Sequence, residues 1–217
     1  MRLHHGQDFE PLPVEEELAR LLPSLEAVRA ATTLPISVDT YQPGVAQAAF
    51  AAGADAVNDI HGLAQGPELA RVAAEQGAAV FAMYNHRDQE TRDVAGDIRA
   101  GFEAAIAAAT QAGLPLERLV LDPGFGFGWT PEENLEMLRR LPELWELEMP
   151  LLVGTSRKST IGYVLDAPVE ERLEGTAATV ALAIGGGADM LRVHDVTEMG
   201  RVAKVSDAIV RDNWRQA

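Results

Sequence analysis

Two groups of polar side chains with different chemistry follow short apolar runs of the sequence. The first group carries hydrogen-bond acceptors: Asp39, Asn58 and Asp122. Such acceptors, with the Asn amide also a donor, suit a neutral heterocycle that is rich in N–H groups. The second group carries cations and donors: Arg157, Lys158, Arg192 and His194. These side chains suit an oxyanion.

The basic pair Arg157–Lys158 stands out because the chain is acidic. It has 33 acidic and 18 basic residues and a formal net charge of −15. This balance argues against a general nucleic-acid or membrane-surface binder, because phosphate backbones and anionic lipids would be repelled. The pair is therefore either a solvated loop or part of a local basic pocket for a phosphorylated ligand. A helix that begins near Ser159 would add its N–H groups and dipole to such a pocket.

The remaining polar features have simpler interpretations. The chain has no cysteine, which excludes disulfides, thiolate zinc sites and a cysteine nucleophile. His4 and His5 lack metal-ligand spacing and are not expected to bind metal, and His61 and His86 are predicted to be supporting or solvated side chains. No signal-peptide pattern and no long apolar run is present, so a cytoplasmic protein is expected.

The tract LDPGFGFGWTPEENLEMLRRL, which starts at Leu121, alternates glycines with aromatic residues. It lacks the Lys-Ser/Thr pair of a phosphate-binding P-loop. Two interpretations stay open for it. The glycines let aromatic rings and backbone approach a flat ligand, or they form a tight strand-to-helix turn with core Phe side chains.

Short β-like runs alternate with helical patterns along the chain, which predicts one α/β domain with a parallel sheet over residues 1–217. The predicted strands are Pro35–Asp39, Ala56–Ile60, Ala78–Tyr84, Leu119–Asp122, Leu151–Gly154 and Met190–His194. The predicted helices are Glu15–Ala30, Pro43–Ala52, Pro67–Gln76, Thr91–Ala112, Pro131–Leu144, Glu170–Gly185 and Thr197–Arg215. Six strands fit either an open sheet or a TIM (β/α)8-type barrel that is N-terminally truncated to about six parallel strands.

Each predicted strand delivers polar residues at its carboxyl end, where parallel α/β folds bind ligands. A single such residue is often only a helix cap or a turn residue. Six clusters at the same edge of a sheet predict a shared pocket, because polar groups on these loops commonly carry function.

Several ordered motifs make the sequence resemble the dihydropteroate synthase family of folate biosynthesis. They are ISVDTYQP, GADAVNDIHG, LDPGFGFG followed by TPEENL, GTSRKS, EGTAA and LRVHDV. The resemblance implies a (β/α)8 barrel that condenses 6-hydroxymethyl-7,8-dihydropterin pyrophosphate with p-aminobenzoate and releases pyrophosphate. It also implies a homodimer formed through the last two predicted helices.

The resemblance implies a role for each matching residue. The expected catalytic residues are Lys158, Arg192 and His194. The expected pterin contacts are Asp39, Asn58, Asp122, Lys158, Met83 and Phe127. Arg192 and His194 are expected to hold the pyrophosphate, and Ser156 and Arg157 to bind p-aminobenzoate.

The N-terminal segment, residues 1–13, departs from the family. Motifs similar to NVTPDSF, with its metal-binding Asn, and to GESTRPG are absent, and HGQDFEPLP stands there instead. Mg²⁺ is therefore expected to bind through the substrate pyrophosphate, without the usual protein ligand. This departure leaves a pterin-binding pseudoenzyme or non-catalytic binding module as the alternative function. A third possibility, a pterin-binding methyltransferase domain, is disfavoured by the SRK and RVHDV motifs.

Overall fold

The computed structural model describes residues 12–212 of the chain. These residues form two compact units, which are described separately. Unit 1 comprises residues 12–82 and 104–119, and unit 2 comprises residues 83–103 and 120–212. The predictions for His4 and His5, and most of the N-terminal segment 1–13, lie outside the described residues. The assignment of residues 1–217 to a single domain stays a prediction.

Unit 1 contains three parallel strands and the helices that follow them. Its elements are α1 (Val14–Ala31), β1 (Ser37–Asp39), α2 (Pro43–Ala51), β2 (Ala56–Asp59), α3 (Glu68–Gln76), β3 (Ala79–Met83, with Met83 in unit 2) and the second half of α4 (Val94–Gln111). In the sheet, Val38 lies beside Val57, which lies beside Val80. These three side chains are buried and form the centre of the unit.

Unit 2 carries the strands that position the cationic residues. Its elements are β4 (Leu119–Asp122, with Leu119 in unit 1), α5 (Pro131–Arg140), β5 (Leu152–Val153), α6 (Ser159–Leu165), α7 (Leu173–Gly185), β6 (Met190–Leu191) and α8 (Val196–Val210). Leu121 forms a parallel bridge with Leu151, and β5 pairs in parallel with β6. The carboxyl ends of β4, β5 and β6 therefore lie on the same side of this unit.

The predicted element order is confirmed; β4 has the predicted bounds, and the other strands are shorter than predicted. The strand predicted over Met190–His194 ends at Leu191, and the helix predicted over Pro131–Leu144 ends at Arg140, before a 3₁₀ segment at Leu141–Leu147. Proline at position 142 has no N–H for an α-helical hydrogen bond, which fits the change of helix type. No helix within residues 12–212 is long and apolar enough to cross a membrane.

Candidate active site

Asp122 ends β4 as a buried carboxylate in unit 2. Its side chain is only 8% exposed, and its Oδ1 accepts a hydrogen bond from the Gly124 N–H at 2.8 Å. Burial raises the pKa of Asp122, while the Gly124 N–H and the charges of Lys158 and Arg192 act in the opposite direction. A buried acceptor surrounded by donors is suited to recognise the N–H groups of a ligand.

Lys158 is the cation that acts on this carboxylate. It stands at the N-cap of α6, and its Nζ donates a hydrogen bond to the Phe125 carbonyl. The same Nζ lies 4.7 Å from the centre of the Phe127 ring, within cation–π range. Burial lowers the pKa of Lys158 to about 8, partly offset by the Asp122 charge. The structure thus brings one predicted acceptor and one predicted cation into the same corner of unit 2.

The glycine–aromatic tract forms the loop beside Lys158. Gly124 has a positive φ of 73°, and a Cβ there would lie 1.9 Å from the Tyr84 carbonyl oxygen. Phe125 is fully buried, whereas Phe127 is partly exposed next to the lysine. Both interpretations of the tract therefore hold in part, because one Phe belongs to the core and the other borders the candidate site.

Asn134 fixes this loop, and sequence reasoning did not identify it. It lies on α5 and is 1% exposed. Its Oδ1 accepts from the Gly126 N–H at 2.6 Å, and its Nδ2 donates to the Thr130 carbonyl at 2.9 Å. The available signal was a polar residue on the helix face that also carries Met137, since a buried amide requires partners.

The loop is also held from the other side by His86. This residue is 2% exposed, and its ring stacks on Trp129 with centroids 3.8 Å apart. Its Nε2 lies 2.9 Å from Thr91 Oγ1, and the His86 backbone N–H donates to the Phe127 carbonyl at 3.2 Å. Of the two predicted environments, supporting or solvated, the supporting one is found. Met83, also buried, lies beside Gly124.

Ser156, Arg157 and His194 lie on the loops that follow β5 and β6. His194 Nδ1 lies 2.9 Å from Ser156 Oγ, and its backbone N–H donates to the same oxygen at 3.2 Å. Arg157 forms an ion pair with Asp195, with Nε 2.9 Å from Oδ2. This hydrogen-bonded pair raises the pKa of Arg157 and lowers that of Asp195. The solvated-loop interpretation of Arg157 is thus incomplete, since its guanidinium is paired.

Arg192 follows β6 in the same unit. Its backbone N–H donates to the Val153 carbonyl at 3.1 Å, which aligns it with the end of β5. Burial raises the pKa of Asp122 and lowers that of Lys158; the Arg192 charge opposes the first change and adds to the second. The predicted cationic group is therefore electrostatically coupled to the buried carboxylate.

The other predicted acceptors, Asp39 and Asn58, form a pair in unit 1. Asn58 Nδ2 donates to Asp39 Oδ1 at 2.8 Å, and the Asn58 side chain is 4% exposed. The Asn58 Oδ1 is buried and has no hydrogen-bond partner among the described residues. An unsatisfied buried acceptor costs about 1–3 kcal/mol, so this oxygen is a candidate acceptor for a ligand N–H.

The neighbouring Asp59 has a structural role instead. Its two carboxylate oxygens accept from the His61 and Leu63 N–H groups at 2.8 and 2.7 Å. Here the local-turn interpretation of a polar strand end is the correct one. Burial raises the pKa of Asp59, and the two backbone N–H groups partly oppose it.

A resident metal site does not fit the described part of the chain. Within residues 12–212, no three His, Asp or Glu side chains come close enough together to hold a metal ion. Mg²⁺ is usually held by one or two carboxylates together with waters and substrate phosphates.

Comparison with known proteins agrees with these features. The model of the pterin binding enzyme family matches residues 5–194. The chain is 45% identical to the dihydropteroate synthase of Synechocystis sp., covering 95% of this chain and 73% of that relative. It is 41% identical to the Bacillus subtilis dihydropteroate synthase, with coverages of 90% and 69%. The chain belongs to the dihydropteroate synthases of the pterin binding enzyme family.

A solved structure extends this finding to the fold. The dihydropteroate synthase of Clostridium difficile, crystallised in the presence of pteroic acid, matches with a TM-score of 0.90 and 41% identity. The match covers 95% of this chain and 79% of that one. The predicted TIM-barrel fold class and the predicted enzyme class, a transferase of folate biosynthesis, are confirmed. The alternatives of a pseudoenzyme or a non-catalytic binding module are not favoured for this member of the dihydropteroate synthases.

Proposed function

We propose that this chain condenses 6-hydroxymethyl-7,8-dihydropterin pyrophosphate with p-aminobenzoate and so forms dihydropteroate and pyrophosphate. The observation that carries the proposal is the buried Asp122 carboxylate, on which the charges of Lys158 and Arg192 both act. An anionic acceptor next to two cations matches a ligand with an N–H-rich ring at one end and a diphosphate at the other.

Asp122 is proposed to accept hydrogen bonds from the pyrimidine half of the pterin ring. Lys158 is proposed to contact the same ring, and Met83 and Phe127 to provide apolar walls. In unit 1, the Asn58 Oδ1, which lacks a partner among the described residues, supports the expected role of Asn58 and of its partner Asp39 as acceptors. Analogues that lack the ring N–H groups would leave these buried oxygens unpaired, which is a strong source of selectivity.

Arg192 and His194 are proposed to hold the diphosphate. The C–O bond to the diphosphate breaks with its electron pair leaving on oxygen, and cations nearby stabilise that developing charge. The arylamine nitrogen of p-aminobenzoate forms the new C–N bond and then loses a proton to solvent. Mg²⁺ is proposed to enter bound to the diphosphate as part of the substrate, because the described residues offer no metal site of their own.

Ser156 and Arg157 are proposed to bind p-aminobenzoate. Ser156 Oγ is within 2.9 Å of His194, which links this part of the site to the proposed diphosphate anchor. The Arg157 guanidinium, ion-paired with Asp195, still presents a fixed positive group that suits a carboxylate.

The test is a product assay with both substrates and Mg²⁺, preceded by calorimetry with the pterin pyrophosphate alone. We expect binding and dihydropteroate formation. Lys158→Ala should weaken pterin pyrophosphate binding strongly, while Lys204→Ala, on α8, serves as the matched control. Binding without turnover would support the pseudoenzyme instead, and equal effects of the two substitutions would refute the assignment of Lys158.

We also propose a homodimer through α7 and α8. Leu182 on α7 and Ile209 on α8 are 65% and 78% exposed, and Val205 is exposed as well. Apolar side chains of this size at the surface favour burial against a second copy. Sedimentation should give a dimer mass at micromolar concentration, and Ile209→Glu should shift it toward the monomer; a monomeric wild type would refute this proposal.

The cytoplasm is the proposed location, because a charged diphosphate substrate does not cross membranes unaided.

A further inference from the structure

Arg157 has an unusual backbone conformation for a residue that is not glycine. Its φ is +57°, in the left-handed region, which costs about 1–2 kcal/mol for an L-residue. Such a conformation persists only when the surroundings fix it. The contacts that fix this turn are therefore important for the position of Ser156 and Arg157.

Two side chains from outside the turn hold the Arg157 peptide groups. Thr176 Oγ1 accepts from the Arg157 N–H at 3.1 Å. Arg172 NH1 donates to the Arg157 carbonyl at 3.0 Å. Thr176 is fully buried, so its hydroxyl is a fixed acceptor rather than a solvated one.

Arg172 is itself fixed by its remaining donors. Its Nε and NH2 both donate to the Ala167 carbonyl at 3.1 Å. Its guanidinium lies against α6 at Gly162, where an added Cβ would come within 2.2 Å of NH2. The guanidinium thus joins the segment after α6 to the turn before α6, and each of these hydrogen bonds goes to a backbone carbonyl.

We propose that Arg172 is a positioning residue for the p-aminobenzoate side of the site. By holding the Arg157 carbonyl, it keeps Ser156 and Arg157 in the geometry that binds the arylamine substrate. This inference rests on the proposed function. It predicts a selective effect: although the Arg157 carbonyl belongs to the peptide bond to Lys158, the Lys158 ammonium group is held by its own hydrogen bond to the Phe125 carbonyl.

The test compares Arg172→Lys with Arg29→Lys in steady-state kinetics. Arg29 is a matched control, since its guanidinium also donates to backbone carbonyls, those of Thr32 and Leu34 at 2.6 and 2.7 Å. We expect Arg172→Lys to raise the KM for p-aminobenzoate about tenfold and to change the KM for the pterin pyrophosphate less than about twofold. Arg29→Lys should lower thermal stability and leave both KM values within about twofold of wild type.

A second pair of variants gives a result even if Arg172→Lys does not fold. Thr176→Val removes the acceptor for the Arg157 N–H with little change in shape, and Thr176→Ser keeps it. We expect Thr176→Val, and not Thr176→Ser, to raise the KM for p-aminobenzoate. Unchanged KM values in Arg172→Lys, or equal values for the Val and Ser variants, would overturn the inference. Absence of product from wild type would overturn the proposed function itself, and this inference with it.

Discussion

Lys158 is expected to titrate near pH 8, because the protein buries its positive charge. Its pKa falls from an ordinary 10.5 to about 8. Since one pKa unit corresponds to about 1.4 kcal/mol, this change amounts to about 3 kcal/mol of unfavourable free energy in the folded state. The unfolded chain binds the proton more tightly, so the full penalty is present below pH 8. It disappears as the pH rises from about 8 to 10.5, and stability increases over that range.

The sequence makes this measurement direct, because Lys158 and Lys204 are its only lysines. Protein labelled with ¹³C-lysine should give two Cε signals by NMR, and Lys204→Met assigns the one that remains. We expect the Lys158 signal to titrate near pH 8. Urea unfolding at pH 7 and pH 10 measures the corresponding change in the free energy of unfolding. The free energy of unfolding of wild type should gain up to about 3 kcal/mol relative to Lys158→Met between these two pH values.

The comparison between wild type and Lys158→Met removes the contributions of groups that titrate equally in both proteins. Lys158→Met should also abolish tight binding of the pterin pyrophosphate, while Lys204→Met should retain it. A Lys158 signal that titrates near 10.5 would refute the claim that burial sets its charge. The same conclusion would follow if wild type and Lys158→Met showed the same pH dependence of unfolding.

Three further substitutions test the loop that borders Lys158. Asn134→Ala should lower the free energy of unfolding by about 1–3 kcal/mol, since it removes the hydrogen bonds of a buried amide to the Gly126 N–H and the Thr130 carbonyl; urea unfolding measures the loss. Thr130→Ala should cost about 1 kcal/mol by removing the N-cap of α5, and Thr130→Ser should restore it in the same assay. Gly124→Ala should prevent accumulation of folded protein, judged by circular dichroism, because its Cβ would collide with the Tyr84 carbonyl.

The elements that the sequence predicted well are those with strong local signals. The helix predicted to begin at Pro131 begins there as α5, and a capping box is present, with the Thr130 N–H donating to Glu133 Oε2 at 2.7 Å. The helix predicted to end at Gln76 ends there as α3, and Gly77 follows it in the left-handed conformation. Local chemistry of this kind is readable because the interacting groups lie within a few residues of each other.

The residues that sequence reasoning missed act over longer separations. Arg172 reaches back to the Arg157 carbonyl, and Asn134 reaches back to the Gly126 N–H. Neither interaction has a periodicity or a spacing that could predict it, because the tertiary fold brings the partners together. The seven-residue helix α6 was predicted only as a helix that begins near Ser159, since so short a segment has little periodicity of its own.

The energetics of Lys158 explain why an acidic chain keeps a cation in this place. Without a ligand, the buried ammonium group has the Phe125 carbonyl and the partial compensation of Asp122, while Arg192 repels it. An anionic ligand would supply the missing counter-charge. Its binding would remove part of the penalty of about 3 kcal/mol. That ligand should raise the pKa of Lys158, and its affinity should fall as the pH rises above about 8. The same unfavourable burial that lowers stability thus becomes a source of selectivity for a ligand that carries negative charge.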